Sequence, residues 1–225
     1  MLKVANFLYL CKKILSKDME ILEQFGIVPV DYATLRSLFK EYSSPKNKIA
    51  NLEHDGKIIR LKRGVFVVSP KISRKTLSTE LIANHLYGPS YVSMETALRY
   101  YGLIPEQVHT VRSITPFHSK KFENTIANFE YTSVNKNYYS VGIKQQIEND
   151  CTFLIATPEK ALCDMITTTP RLEIRSTKAL LFYLEDDLRL DMSDFKKMNT
   201  DIIKQCIETG KKKNTLKLLL KLLQR

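Results

Sequence analysis

The sequence predicts an α+β protein in two parts, a small helix-and-hairpin unit followed by a mixed α+β unit with a helical end. Three observations predict it. Residues 1–72 hold short stretches of helical apolar periodicity and close on two strand-like runs joined by Arg63-Gly64. From Thr76 helical stretches alternate with strand-like ones, which is the pattern of a mixed sheet-and-helix layer. Beyond about residue 175 the periodicity is helical alone, and the chain finishes in Lys211-Lys212-Lys213 and a Leu-rich run.

Each element has a local cause. Residues 2–16 read as a helix, with Leu2, Phe7, Leu8, Leu10, Cys11, Ile14 and Leu15 forming a broad apolar face. Asp18 is the N-cap of a second helix that runs to Phe25 and stops at Gly26, and Ile27 and Val28 form a short extended piece. Asp31 caps the helix Tyr32–Glu41, where Leu35, Leu38 and Phe39 share a face. Ser44 caps the next helix and Pro45 takes its first position, where a missing N–H costs nothing; this helix runs to Asp55 and stops at Gly56. At about 100° per residue Ile49 and Leu52 point to a core, while Asn47, Asn51 and His54 point almost opposite, flanked by Lys46 and Lys48. Lys57–Lys62 is a strand, Arg63-Gly64 a tight turn, and Val65–Val68 the returning strand before Pro70. Helices followed by a basic-tipped hairpin are the order of a winged helix-turn-helix, here residues 1–72 with an extra N-terminal helix.

Residues 73–225 form the second predicted domain. A helix over 76–87 ends at Gly88-Pro89, and another opens at Ser93 or Met94 and ends at Tyr101-Gly102. Strands are expected at Thr110–Phe117, Thr125–Val134, Tyr138–Ile143 and Thr152–Ala156. Thr157-Pro158 starts a helix through Ile166, and further helices are expected near 175–186, 193–198, 200–209 and 214–224. No repeat of solenoid period occurs.

Charge is segregated along the chain. The net +11 divides into +8 for residues 1–75, −4 for 76–195 and +7 for 196–225. A basic head and a basic tail favour contact with phosphate. No apolar run approaches the roughly 18–20 residues that span a bilayer, so no membrane partner is expected. Val4–Leu10 is a short run interrupted by Asn6, and Tyr9 and Leu10 stand where a lipoprotein leader needs small residues, so a cytoplasmic protein is expected. Cys11, Cys151, Cys163 and Cys206 make no CxxC pair and are expected to be reduced core thiols.

The residues argue for binding rather than catalysis. GxxxxGK[ST], GxSxG and HExxH are all missing, and His54, His85, His109 and His118 have no metal-like spacing. The DxK at Asp55-Gly56-Lys57 is a helix stop, and Glu185-Asp186-Asp187 reads as a solvated helix face. No catalytic residue, metal or cofactor is expected. Asn47 and Asn51 suit bidentate pairing with adenine, and Lys46 and Lys48 suit phosphate or a guanine edge. Ser43, Ser44 and the N–H groups at that helix start suit a phosphate, and Lys62 and Arg63 at the hairpin tip suit the minor groove or backbone. Lys120 and Lys121, read as a loop between strands, and Lys211, Lys212 and Lys213 are secondary phosphate contacts.

Three segments carry a resemblance. Asn51–Val68 (NLEHDGKIIRLKRGVFVV), Tyr87–Thr115 (YGPSYVSMETALRYYGLIPEQVHTVRSIT) and Ala156–Ile166 (ATPEKALCDMI) resemble the abortive-infection AbiEi family of antitoxins over roughly residues 15–190. The Ser-x-x-x-Ala-Leu helix followed by Gly-Leu-Ile-Pro-Glu is the most specific part. The resemblance implies a transcriptional autoregulator that binds inverted repeats upstream of its own operon through the winged helix. It also implies a C-terminal domain that counters a nucleotidyltransferase-like toxin, a phage-defence arrangement. The family's DNA contacts fall on Ser44, Lys46, Asn47, Lys48 and Asn51 with Lys62 and Arg63. The first fifteen residues and the Lys-rich end depart from the family pattern. An antitoxin acting only through protein or RNA contacts, and a stand-alone regulator without a toxin, are the alternatives.

Overall fold

A computed structural model describes residues 17–105, 109–148 and 151–224, so the helix expected over residues 2–16 lies outside the described residues. The chain forms a mixed α+β structure of two compact units. The first comprises the described residues up to Ser78 together with Asn124–Ile126; the second comprises Thr79–Glu123 and the rest from Ala127. The boundary expected after residue 72 falls inside a short helix of the first unit and is displaced to Ser78.

The first unit is built from local capping and one core. Residues 17–23 form α1, and β1 is Val30–Asp31. Asp31 then caps α2 (Tyr32–Leu38) by accepting the Thr34 N–H at 2.7 Å. Ser44 caps α3 (Pro45–His54) through the Asn47 N–H, and Gly56, at φ 65°, turns the chain out of it. Strands β2 (Ile58–Lys62) and β3 (Val65–Val68) make the hairpin. Its register is Ile58↔Val68 to Lys62↔Val65, with an irregularity between Arg60 and Lys62. The sheet order is β1-β3-β2, and Val30 pairs with Phe66. The extended piece expected at Ile27-Val28 therefore forms three residues later, at Val30–Asp31. Helix α4 (Pro70–Ser73) follows the hairpin. Leu22, Leu35, Phe39, Ile49, Leu52, Ile58 and Phe66 close one core, each buried side chain contributing about 1.5–3 kcal/mol of hydrophobic stabilisation.

The second unit wraps helices around a six-stranded sheet. In order it contains α5 (Thr79–Leu86), β4 (Tyr91–Val92), α6 (Met94–Tyr100), β5 (Thr110–Thr115), β6 (Lys120–Glu123) and β7 (Asn128–Ser133). There follow α7 (Lys136–Tyr139), β8 (Ile143–Glu148), β9 (Cys151–Ala156) and α8 (Pro158–Thr168). Helix α9 (Thr177–Phe182) runs into a π-turn at Tyr183–Asp187, and α10 (Met192–Phe195), α11 (Thr200–Thr209) and α12 (Lys213–Leu223) finish the chain. The strand order is β6-β7-β5-β4-β9-β8, with β5/β7 and β4/β9 parallel and the other neighbours antiparallel.

Two expectations are corrected here. The strand expected at Tyr138–Ile143 is instead helix α7 and a turn, because the Asn135 side chain accepts the Tyr138 N–H at 2.8 Å and so caps a helical turn. Lys120 and Lys121 stand on strand β6, opposite Tyr131 and Glu130, rather than in a loop. The expected acidic helix face at Glu185-Asp186-Asp187 lies in the π-turn.

Candidate functional site

Helix α3 and the β2–β3 hairpin bound a groove of about 460 Å³. Ile49 and Phe66 form its floor with Tyr32, and Lys46, Arg60 and Arg63 stand at its walls. Gly64, at φ 78°, supplies the left-handed position that a two-residue hairpin turn requires, which puts Arg63 at the tip. Lys46 and Arg63 are exposed, and among the described residues neither has a carboxylate partner. Arg60 is engaged locally: its Nε donates to Glu53 Oε1 at 2.7 Å and its guanidinium lies 4.8 Å from the Phe66 ring centre. That hydrogen bond holds the Glu53 carboxyl below its ordinary range.

The amide face of α3 is open. Asn47, Asn51 and His54 are exposed, while Ile49 and Leu52 are buried on the opposite side, as the 3.6-residue period requires. Ser43 is exposed, whereas the Ser44 hydroxyl is occupied as the N-cap. Lys62 sits at the end of β2, half-buried and opposite Val65.

Lys48 is not an open cation. Its ammonium pairs with the Asp18 carboxylate, with side-chain exposures of 15% and 4%, and lies 4.6 Å from the Tyr42 ring centre. Tyr42 donates its hydroxyl to the other Asp18 oxygen at 2.6 Å, and burial, followed by that carboxylate, pushes the phenol up to about 12. Asp18, expected as a helix cap, is instead the acceptor that ties α1 to α3. The expected phosphate contact at Lys48 is corrected to an internal one.

The secondary lysines divide similarly. Lys120 lies about 5 Å from the Tyr87 and Phe122 ring centres, and Lys121 pairs with Glu130. Lys212 donates to the carbonyls of Thr169 and Leu172 at 2.7 and 3.2 Å, and burial lowers its pKa. This lysine clamps the C-terminal end of α8 and is corrected from a phosphate contact to a structural one. Lys213 donates to the Glu208 carbonyl, while Lys211 is exposed and unpaired among the described residues.

The second unit also holds a buried charged cluster that the sequence reading did not single out. Lys160 and Asp164, one turn apart on α8, are both fully buried and 3.0 Å apart. Ser93 and Tyr91 donate their hydroxyls to Asp164 Oδ2 at 2.6 and 3.1 Å. Lys160 donates to the Tyr138 carbonyl at 3.0 Å and lies against the Tyr138 ring. Burial, reinforced by Asp164, holds the Tyr91 and Tyr138 phenols far above their ordinary value. The Cys163 thiol is held protonated by donating to Cys206, which is shifted down by receiving that hydrogen bond. Cys151, Cys163 and Cys206 are free and buried; Cys11 lies outside the described residues. With every member sealed from solvent, the arrangement anchors α8 to the sheet.

Among the described residues no group of three His, Cys, Asp or Glu could hold a metal ion, and no helix is long and apolar enough to cross a membrane. A search against protein-family models finds none that matches the chain, and comparison with curated proteins finds no match.

Tyr32, Arg60 and Phe66 were missed as groove residues. The alternation of Arg60 with its neighbours Ile59 and Leu61 was the available signal, but the irregularity between Arg60 and Lys62 blurs it.

Proposed function

We propose that the first unit is a winged helix-turn-helix that binds double-stranded DNA at inverted repeats upstream of its own operon and represses it. The second unit, in this reading, is the antitoxin domain that counters a nucleotidyltransferase-like toxin. One observation carries the DNA-binding part: an open amide face on α3, with Asn47 and Asn51, lies beside a groove whose unpaired cations are Lys46 and Arg63. Asn side chains read adenine by paired hydrogen bonds, and unpaired cations release counterions on meeting phosphate. Repression is steric, since occupied repeats exclude polymerase. The antitoxin part is supported by the resemblance of Tyr87–Thr115 and Ala156–Ile166 to the AbiEi family.

Mobility shifts of the full chain on its own upstream DNA, at two salt concentrations and against scrambled competitor, test the reading. Asn47→Ala is expected to relax specificity at one base step by about 1–3 kcal/mol. Arg63→Ala is expected to weaken all sequences about equally and to reduce the salt slope by about one. Lys48→Met is expected to destabilise the protein without changing the salt slope. Binding without operator preference, unaffected by Asn47→Ala and Arg63→Ala, would refute the assignment.

A further inference from the structure

The six-residue strand β8 forms one edge of the large sheet and, among the described residues, pairs with β9 alone. Which of its backbone groups face outward follows from Asn84. The Asn84 side chain accepts the Leu154 N–H at 2.5 Å and donates to the Leu154 carbonyl at 3.3 Å. Both backbone groups of Leu154 therefore turn away from β8. Antiparallel ladders alternate, and Gln145 lies opposite Leu154, so the N–H and C=O groups of Ile143, Gln145 and Ile147 point to the open side. Among the described residues the Ile147 carbonyl has only a 3.5 Å contact from the neighbouring Gln146 amide. Ile147 is also 70% exposed, the highest value among the large exposed hydrophobic side chains, and on β9 Leu154 is 38% exposed on the same sheet face.

The sequence of this edge is complementary to itself. When a second β8 is laid antiparallel with a two-fold axis through Gln146, Lys144 falls opposite Glu148 of the copy and Glu148 opposite its Lys144. Gln145 and Ile147 face each other twice as hydrogen-bonded pairs, with outward backbone groups on both strands. Gln146 meets its own copy on the axis, where two side-chain amides can pair. The arrangement satisfies the outward groups of Gln145 and Ile147, covers both Ile147 side chains and makes two opposite-charge cross-strand pairs. Glu148 already accepts the Tyr100 hydroxyl at 2.8 Å, and a carboxylate has lone pairs for a lysine as well. At the other edge, β6, Lys121 is paired with Glu130 and Lys120 lies over two rings, so these charges are engaged within the unit.

We infer that β8 is the docking edge for a second copy of this chain, joining two six-stranded sheets across a two-fold axis at Gln146. This inference goes beyond the DNA-binding reading and does not rest on it. Sedimentation of the full chain across a range of micromolar concentrations should show a reversible monomer–dimer equilibrium. Lys144→Glu alone and Glu148→Lys alone should each weaken the dimer roughly ten- to thirtyfold, by placing like charges opposite each other twice. The double variant Lys144→Glu/Glu148→Lys should restore it. Lys144 and Glu148 stand four residues apart along one extended strand, about 13 Å, so restoration reports pairing between chains. Ile147→Pro, which removes an outward N–H and leaves the β9 ladder paired, should give a folded monomer by circular dichroism. Gln146→Cys should cross-link to its copy on mild oxidation. A chain that stays monomeric throughout, or a dimer indifferent to the charge reversals and to Ile147→Pro, would overturn the inference. An edge protected from hydrogen exchange only when a different protein is added would overturn it too.

Discussion

Removing one partner of the Lys160–Asp164 pair should be among the most damaging single changes the second unit can suffer. The two charged atoms are 3.0 Å apart with no exposure on either side chain. At an effective dielectric of about 20, the attraction over that distance is about 5–6 kcal/mol, the same order as the roughly 3–5 kcal/mol lost when a buried pair is broken from one side. Lys160→Met leaves a carboxylate with two hydroxyl donors, from Ser93 and Tyr91, and no counter-charge. Asp164→Leu leaves an ammonium whose remaining contacts are the Tyr138 carbonyl and rings. Each should lower stability by about 3–5 kcal/mol. Lys160→Met/Asp164→Leu removes both desolvated charges together, and its stability should return to within about 2 kcal/mol of the parent. Urea unfolding followed by circular dichroism gives the four stabilities and the coupling between the sites. If the double variant loses the sum of the two single losses, or if each single change costs under about 1 kcal/mol, the pair does not act as reasoned here.

Gly142→Ala should destabilise the second unit by about 2–4 kcal/mol in the same assay. The residue has φ 63°, and an added Cβ would stand 2.8 Å from Lys160 Cβ and 3.0 Å from Ile202 Cγ2, so backbone strain and overpacking act together. Glu53 has its pKa lowered in the folded state by its hydrogen bond to Arg60, so its contribution is present above the ordinary glutamate value and is lost as pH falls through the lower folded one. In thermal unfolding across pH, the difference between the parent and Glu53→Gln should therefore shrink to nothing under acid conditions, and a difference that grows there would contradict the assignment.

The first unit was legible wherever caps and periods are local. Asp31, Ser44-Pro45, Gly56 and Arg63-Gly64 mark their boundaries within three or four residues, and the structure places α2, α3 and the hairpin there. The buried and open faces of α3 were readable for the same reason. Lys48 was not, because its partner Asp18 lies thirty residues away and no local pattern reports a distant carboxylate. In the second unit β6 escaped because Lys120-Lys121-Phe122-Glu123 lacks the alternation of a half-buried strand. The segment Tyr138–Tyr139 reads as strand by propensity, yet one hydrogen bond, from the Tyr138 N–H to the Asn135 side chain, decides for helix.

Lys160 and Asp164 illustrate a subtler failure. Opposite charges four residues apart on a helix are the ordinary signature of a solvated stripe, and here the same spacing is wholly enclosed. What separates the cases is the rest of the turn: Ala161, Leu162, Cys163, Met165 and Ile166 are apolar on every side, leaving no face for water. The structure adds a connection between distant segments. Ser93 and Tyr91 come from Tyr87–Thr115, and Lys160, Cys163 and Asp164 come from Ala156–Ile166, two stretches far apart in the sequence. They meet through hydrogen bonds to one carboxylate, with Ser93 turned inward so that α6 starts without a side-chain cap and Met94 takes φ 53°, a left-handed conformation unfavourable for a residue with a Cβ. A helix start gives up its cap and accepts that strain only where the alternative bond is stronger, and a charge-assisted bond from a buried serine to a buried carboxylate is of that kind. Tyr91, Ser93, Lys160 and Asp164 are therefore best understood as the tie that fixes α8 against β4 and the start of α6.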